Sequence, residues 1–277
     1  MTKKETKNNT GELVEDFKKL SIQVSLNGLS FCVLNTVENS IVSAESVVFA
    51  KRLTPYEVLK RLKLLFSTHK IEQDQYSEVV VVHRNTLFSL VPKPLFNEEE
   101  LANYLKFNTK ILANDHLAYD ELDSFDIINV YVPFVNINNY IYDLFGEFTF
   151  KHNGTVLVES LMNPHMASKE PTCYVLISEQ QMDVTIISGK KLLLYNSFTF
   201  ITKEDFLYYL LFTLEQLELD TESVFIKLFG QIEEGDDIYT LCYNYAKNVS
   251  IFFPSFSEHP HLNSKEETID FTVINAF

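Results

Sequence analysis

His83 and Arg84 stand together at the end of the apolar run Glu78-Val-Val-Val-Val-His83. An imidazole beside a guanidinium can move a proton or hold an anion, but without a paired nucleophile the two read as structural. His259-Pro260-His261 offers two imidazoles to a metal. A pair in a proline-broken tail, lacking a third ligand, reads as surface. Glu233-Glu234-Gly235-Asp236-Asp237 has the acids of a cation site, and Glu98-Glu99-Glu100 is a second acidic run. Both read as solvated turns whose carboxylates favour the next helix N-terminus. Cys32, Cys173 and Cys242 are an odd count, far apart, each in an apolar stretch. That pattern suits buried free thiols in a reducing compartment, not a disulfide framework or a zinc site. The nucleotide, metalloprotease, hydrolase and redox motifs GxxxxGK[ST], HExxH, GxSxG and CxxC are all missing. No catalytic or metal-ligating residue is assigned from sequence.

Composition narrows the classes further. A chain of 277 residues carries a prior of about two domains at roughly 150 residues each. Its 46% apolar and 22% charged residues are the balance of a folded protein. There are only seven glycines, where average usage predicts roughly 19, so Gly-rich phosphate cradles and flexible linkers are disfavoured. A net charge of −15 and a pI near 4.9 leave no basic footprint for nucleic acid or anionic membranes. The opening MTKKETKNNTGE has no apolar stretch behind it, unlike a secretory signal. The longest apolar run, Phe206 to Leu214, is about half of the roughly 18 residues a span needs. A cytoplasmic protein is expected.

Periodicity places the elements. Residues 1–17 read as a loose polar arm. Leu20-Ser-Ile-Gln-Val-Ser-Leu26 alternates, Asn27-Gly28 signals a hairpin, Leu29 to Leu34 runs back, and a third strand covers about Ile41 to Ala50. Thr54-Pro55-Tyr56-Glu57 combines an N-cap, a proline at the first helical position and a glutamate at N3. The helix it opens has an inward face of Val58, Leu59, Leu62, Leu65 and Phe66. A covered strand at 78–83, a helix after Asn97, a strand at Ile127 to Val132 and a helical stripe over 137–145 complete a first series. A short helix over 155–162 leads to the Asn163-Pro164 break.

The same order returns. Strands at 172–177, 184–188 and 192–200, a capped helix from Thr202, a strand at 224–229, a helix at 236–247 and a strand at 249–253 make a second series. The aromatic cluster Phe206, Tyr208, Tyr209 and Phe212 wraps the second capped helix and reads as core, the alternative being that part of it is an exposed docking stripe. The order β-β-β-α-β-α-β occurs twice, as a long-period duplication predicts.

That order is the ribonuclease H-like unit, and two in tandem form the actin-like ATPase fold. The fold class expected is therefore α/β, two tandem ribonuclease H-like units, each a three-strand meander followed by alternating helices and strands. Leu194-Tyr-Asn-Ser-Phe198, Glu204 to Phe212 and Leu228-Phe-Gly230 resemble an uncharacterised bacterial domain-of-unknown-function family with this fold. The Leu20 to Ser25 and Phe150 to Thr155 segments share the resemblance. The second meander, more distantly, is similar to pilus-assembly and secretion actin-like proteins. The division implied is an arm at 1–17, a first lobe at 18–150, a second at 151–255 and a tail at 256–277.

The resemblance also implies a place for ATP. Its first hairpin needs an aspartate and a glycine, its second the pattern Asp-x-Gly-x-Gly, and its adenosine motif two adjacent glycines. The matching residues here are Asn27 and Gly28, then Ser178-Glu179-Gln180-Gln181-Met182-Asp183, then Gly230 alone. If a nucleotide binds, Asn27, Gly28, Asp183 and Gly230 are the residues to hold it. With the metal carboxylate and most glycines replaced, no cofactor is expected. The expected function is a non-catalytic interaction or scaffold protein with an unidentified protein partner; the alternative is a divergent ATPase taking its carboxylate from Asp183 or Glu179. In the tail, Thr268 to Ile274 alternates like a strand that could add to its own sheet edge or to a partner's, and is expected to dock in cis.

Overall fold

The computed structural model describes residues 17–73, 76–112, 114–165, 170–178, 180–253 and 270–277. The arm before residue 17, His259 and His261, Glu179, and residues 268–269 of the expected tail strand lie outside them.

β1 (Lys18–Val24), β2 (Gly28–Asn35) and β3 (Ser40–Val48) form an antiparallel meander. Thr54 caps α1 (Pro55–His69) in a full capping box with Glu57, satisfying amides the first turn would leave unpaired. α1 delivers the chain to β4 (Glu78–His83), parallel to β1. β4 is buried on both faces. Val79 and Val81 join a core with Leu20, Ile22, Leu62 and Phe66, while Val80 and Val82 face the other way. That explains the continuous β-branched run.

An inserted layer follows. β5 (Phe88–Pro92), α2 (Leu101–Leu105), β6 (Ala118–Leu122) and β7 (Ile127–Tyr131) build a small sheet ordered β5-β7-β6 with its own core around Leu105, Ile128 and Val130. The strand at Ile127, read from sequence as the last of the first series, is the middle of this insertion. The helix expected after Asn97 is only α2, since Asn97 caps a 3-10 turn instead. α3 (Val135–Phe145) then returns to the main layer, and β8 (Thr149–His152), parallel to β4, completes the order β3-β2-β1-β4-β8.

α4 (Asn153–His165) starts directly from β8, with Pro164 inside its last turn where the break was expected. β9 (Thr172–Ser178), β10 (Gln181–Ser188), β11 (Lys191–Thr199), α5 (Lys203–Gln216), β12 (Phe225–Gly230), α6 (Asp237–Tyr245) and β13 (Asn248–Ile251) follow. Their sheet is ordered β11-β10-β9-β12-β13, the same path as the first. Thr202 and Asp205 repeat the capping box. Phe206 and Leu210 are buried in this half's core and Tyr209 stacks on Phe198, but Tyr208 and Phe212 are exposed. The aromatic cluster is thus core on one side only. No helix among the described residues is long and apolar enough to cross a membrane.

The tail corrects one expectation and meets another. Residues Phe271–Ile274 form a helical turn, α7, rather than a strand. They nevertheless dock in cis, buried against β1, β2 and α4.

Candidate functional site

The seam between the two halves gathers the polar side chains that neither core can use. Along β10, Met182, Val184 and Ile186 enter the second core, so alternation turns Asp183 and Thr185 toward the seam. Beyond β4, the Arg84 amide donates to Val24 O at 2.9 Å, continuing the strand for one more residue. His83 then points to α3, where its ring bonds Asn138 Oδ1 at 2.9 Å and accepts from the Phe134 amide. Arg84, one residue on, points the opposite way into the seam. The adjacent pair read from sequence is therefore split across the sheet.

Arg84 donates to Asp183 Oδ2 at 2.5 Å, with only 6% and 1% of the two side chains exposed. Asp270, 3.8 Å from the same guanidinium, comes from the tail. Burial disfavours the Arg84 charge, but Asp183 and then Asp270 more than offset it, holding the group above its ordinary pKa. Tyr195 of β11 is buried nearby, its hydroxyl pushed well up by burial and then by Asp183. The Asn153 amide approaches that hydroxyl at 3.5 Å.

α7 covers the first-half wall of the seam. Asp270 accepts from the Thr272 amide as its cap and from Gln23 Nε2 at 2.8 Å. Thr272 donates to Gln23 Oε1, and Ser21 to Val273 O. Phe271 meets Phe229 of β12 edge-on at 5.3 Å, while Ala276 lies among Val80, Val82 and Val156. The tail thus contacts both halves.

A second polar cluster ties the insertion to β8 and α4. Asp120 accepts from the Tyr131 hydroxyl at 2.9 Å, the Thr155 hydroxyl at 2.6 Å and the His152 amide at 2.7 Å. Burial still raises its carboxyl to about 6. His152 accepts at Nδ1 from the Gly154 amide at 3.0 Å, which leaves Nε2–H to donate to Asn85 O at 3.1 Å. Burial lowers its pKa to about 3, so the ring is neutral. These bonds fasten rather than react.

The residues expected to hold a nucleotide sit as follows. Asn27 O accepts from the Phe49 amide, and a Cβ on Gly28 would lie 2.7 Å from Val47 O, so the turn is pressed onto β3. Gly230 adopts φ +93° where a side chain would collide with Ile177 O. Between β9 and β10 stands Gln180, and Gln181, the first residue of β10, donates to Ser197 Oγ at 2.7 Å. The structure brings Asp183 to the seam, with Arg84 as its partner. The acidic run at 233–237 forms the approach to α6, where the Glu233 amide donates to Asp236. Among the described residues, no group of three or more His, Cys, Asp or Glu is placed to hold a metal. All three cysteines are buried, and none of them is in a disulfide.

Two five-stranded sheets of identical order, joined through α4, define the actin-like ATPase fold. Solved structures agree. A Bacteroides thetaiotaomicron protein of unknown function with that fold matches at TM-score 0.77 and 22% identity, covering 86% of this chain and 91% of that one. The PilM–PilN type IV pilus biogenesis complex matches at TM-score 0.62 and 11% identity, covering 92% and 96%. The chain belongs to a family described as protein of unknown function (DUF3822), whose model matches residues 7–249. No curated protein matches it in sequence.

Proposed function

We propose that this chain is a non-catalytic, actin-like interaction protein of the cytoplasm, in which protein groups take the place of a nucleotide at the seam. The buried Arg84–Asp183 ion pair carries the reading, because it neutralises the carboxylate best placed to hold a metal. Gly28 and Gly230 have backbone neighbours that account for them, and glutamines stand in the second turn. Side chains there occupy the space phosphate oxygens need. These residues do not fit a magnesium–nucleotide group. Asn27, Gly28, Asp183 and Gly230 then serve the fold, and the functional contact is with another protein. The similar fold of PilM, solved in complex with PilN, supports a partner-binding role.

A divergent ATPase is the second reading. Asp183 Oδ1 and Asn153 Oδ1 favour it, being buried acceptors without a hydrogen-bond partner. Titration calorimetry with Mg-ATP separates the two. The interaction reading expects no saturable heat up to about 1 mM nucleotide, a binding energy weaker than about 4 kcal/mol. Saturable binding in the micromolar range, lost in Asp183→Asn, would overturn the interaction reading, and phosphate release from the bound ATP would establish the ATPase instead.

A further inference from the structure

Where the inserted sheet meets the second half, two strands end their sheets side by side. β5 is the outer strand of β5-β7-β6 and β11 the outer strand of the second sheet. They touch at Phe88 and Tyr195, whose rings are 5.1 Å apart, and residues of both line one open groove. The wedge between them is a groove of about 800 Å³, flanked on its far side by the turn at Phe107, a side chain 84% exposed.

Hydrogen-bond phase shows what each edge offers. The Val132 amide donates to Leu87 O, so Leu87, Ser89 and Val91 bond to β7 while the backbone groups of Phe88 and Leu90 face outward. On β11, the Phe200 amide donates to Gln180 O, which by the same alternation turns Ser197 and Tyr195 outward. Ser197 is already covered, its amide donating to the Asn196 side chain. No described residue is paired with the outward edge of β5. β5 is therefore the edge available for pairing.

Charge selects the occupant. The lining contains no charged residue. Next to it in sequence stand Lys93, Lys106, Lys110 and Lys191, against the single acid Asp126. Lys93 is neutralised by Glu121 and Asp123, but none of the described acids pairs with the other three lysines. These exposed lysines attract a segment with acidic flanks, while the net charge of −15 opposes the approach of a second whole copy of this chain.

We infer that the groove between β5 and β11 binds an extended segment of a partner protein, apolar in its centre and acidic in its flanks, which pairs with the open edge of β5. This deepens the interaction-protein reading and rests on it. The segment's main chain meets Phe88 and Leu90. Alternate side chains fill the wedge over Phe88, Tyr195 and Leu192, and its flanking carboxylates meet Lys106, Lys110 and Lys191.

A random twelve-residue peptide library displayed on phage, panned against the full chain, tests this, with the leading sequence then synthesised and measured by fluorescence polarisation. Peptides with alternating apolar centres and acidic flanks are expected. Leu90→Pro removes only an outward amide, which an edge strand tolerates, and is expected to weaken binding at least tenfold. Lys106→Glu/Lys110→Glu/Lys191→Glu leaves the strand intact and is expected to weaken it at least fivefold at low salt. Enrichment of basic sequences, no enrichment, or leading peptides that bind both variants unchanged would overturn the inference. So would a dimer of this chain that Leu90→Pro dissolves, since the occupant would then be a second copy. Mg-ATP binding alongside intact peptide binding would sink only the reading above.

Discussion

The seam between the two halves is closed at one end and open at the other. Around Arg84, Asp183 and Asp270 three separate stretches of chain meet through buried charge. Around β5 and β11 two strand edges meet through Phe88 and Tyr195 and flank an open groove. The contrast follows from what each end must satisfy. A buried charge tolerates no gap, because desolvation is costly unless a partner is in place. An apolar wedge with open backbone edges costs little in isolation and keeps its pairing capacity for another chain. The closed end joins the halves through buried charge; the open end is where the proposed partner segment has room.

The largest expected effect breaks the closed end. Arg84→Ala leaves Asp183 buried and unpaired, a loss of about 3–5 kcal/mol, or roughly 10 °C in melting temperature for a chain of this size. Arg84→Met with Asp183→Leu is expected to recover more than half of it. A double variant as unstable as the single one would show that the charges do more than neutralise each other.

Gly230→Ala comes next. Its positive φ and the collision with Ile177 O together predict about 2–3 kcal/mol of destabilisation. Gly189→Ala, at φ +58° with open space around it, is expected to cost about 1 kcal/mol. Equal melting points for the two would mean that Gly230 is not fixed by its strand neighbour.

Acid acts on the first half through three buried groups. Burial pushes His83 and His152 from 6.5 to about 4 and about 3. Below about pH 6.5 the unfolded chain therefore binds protons that the folded chain refuses, and stability falls as pH drops. Asp120, raised by burial to about 6, works the other way. Its folded form takes up a proton below that pH before its unfolded form does, returning part of the loss. From pH 7 to pH 5 a net loss of about 2 kcal/mol is expected in chemical denaturation. His83→Gln is expected to remove about half of the two-histidine contribution; an unchanged slope would contradict burial as the cause.

How much was legible in sequence follows the same division. Both capping boxes, both meanders and the buried β4 were readable because local chemistry alone dictates them. The insertion was not. β8 is four residues, Thr-Phe-Lys-His, and too short and polar to stand out, so the stronger pattern at Ile127 took its place. The tail failed differently. Thr268 to Ile274 alternates, yet Asp270 caps a helical turn whose Val273 and Ile274 are buried. Tertiary burial overrode a local strand preference. At the seam, Asp183 stood out in sequence only as a residue to hold a nucleotide or its metal, and Arg84 only as the neighbour of His83 at the end of an apolar run. That the two are partners was not visible, because they are 99 residues apart.

The smallest effect compares the two halves at equivalent points. Thr54→Ala and Thr202→Ala each remove a side-chain cap from a helix in the same topological position. Each is expected to lower the melting temperature by about 2–4 °C. A difference of more than about 5 °C between them would show that the repeated order hides unequal packing.

The most direct measurement is thermal unfolding with about 5 mM Mg-ATP against Mg-sulfate at matched ionic strength. A ligand at about 100 times its dissociation constant adds roughly 2.7 kcal/mol, a rise of about 5–10 °C here. A seam held by Arg84, Asp183 and Asp270 predicts a shift below about 1 °C. A rise of about 5 °C with Mg-ATP alone would contradict it.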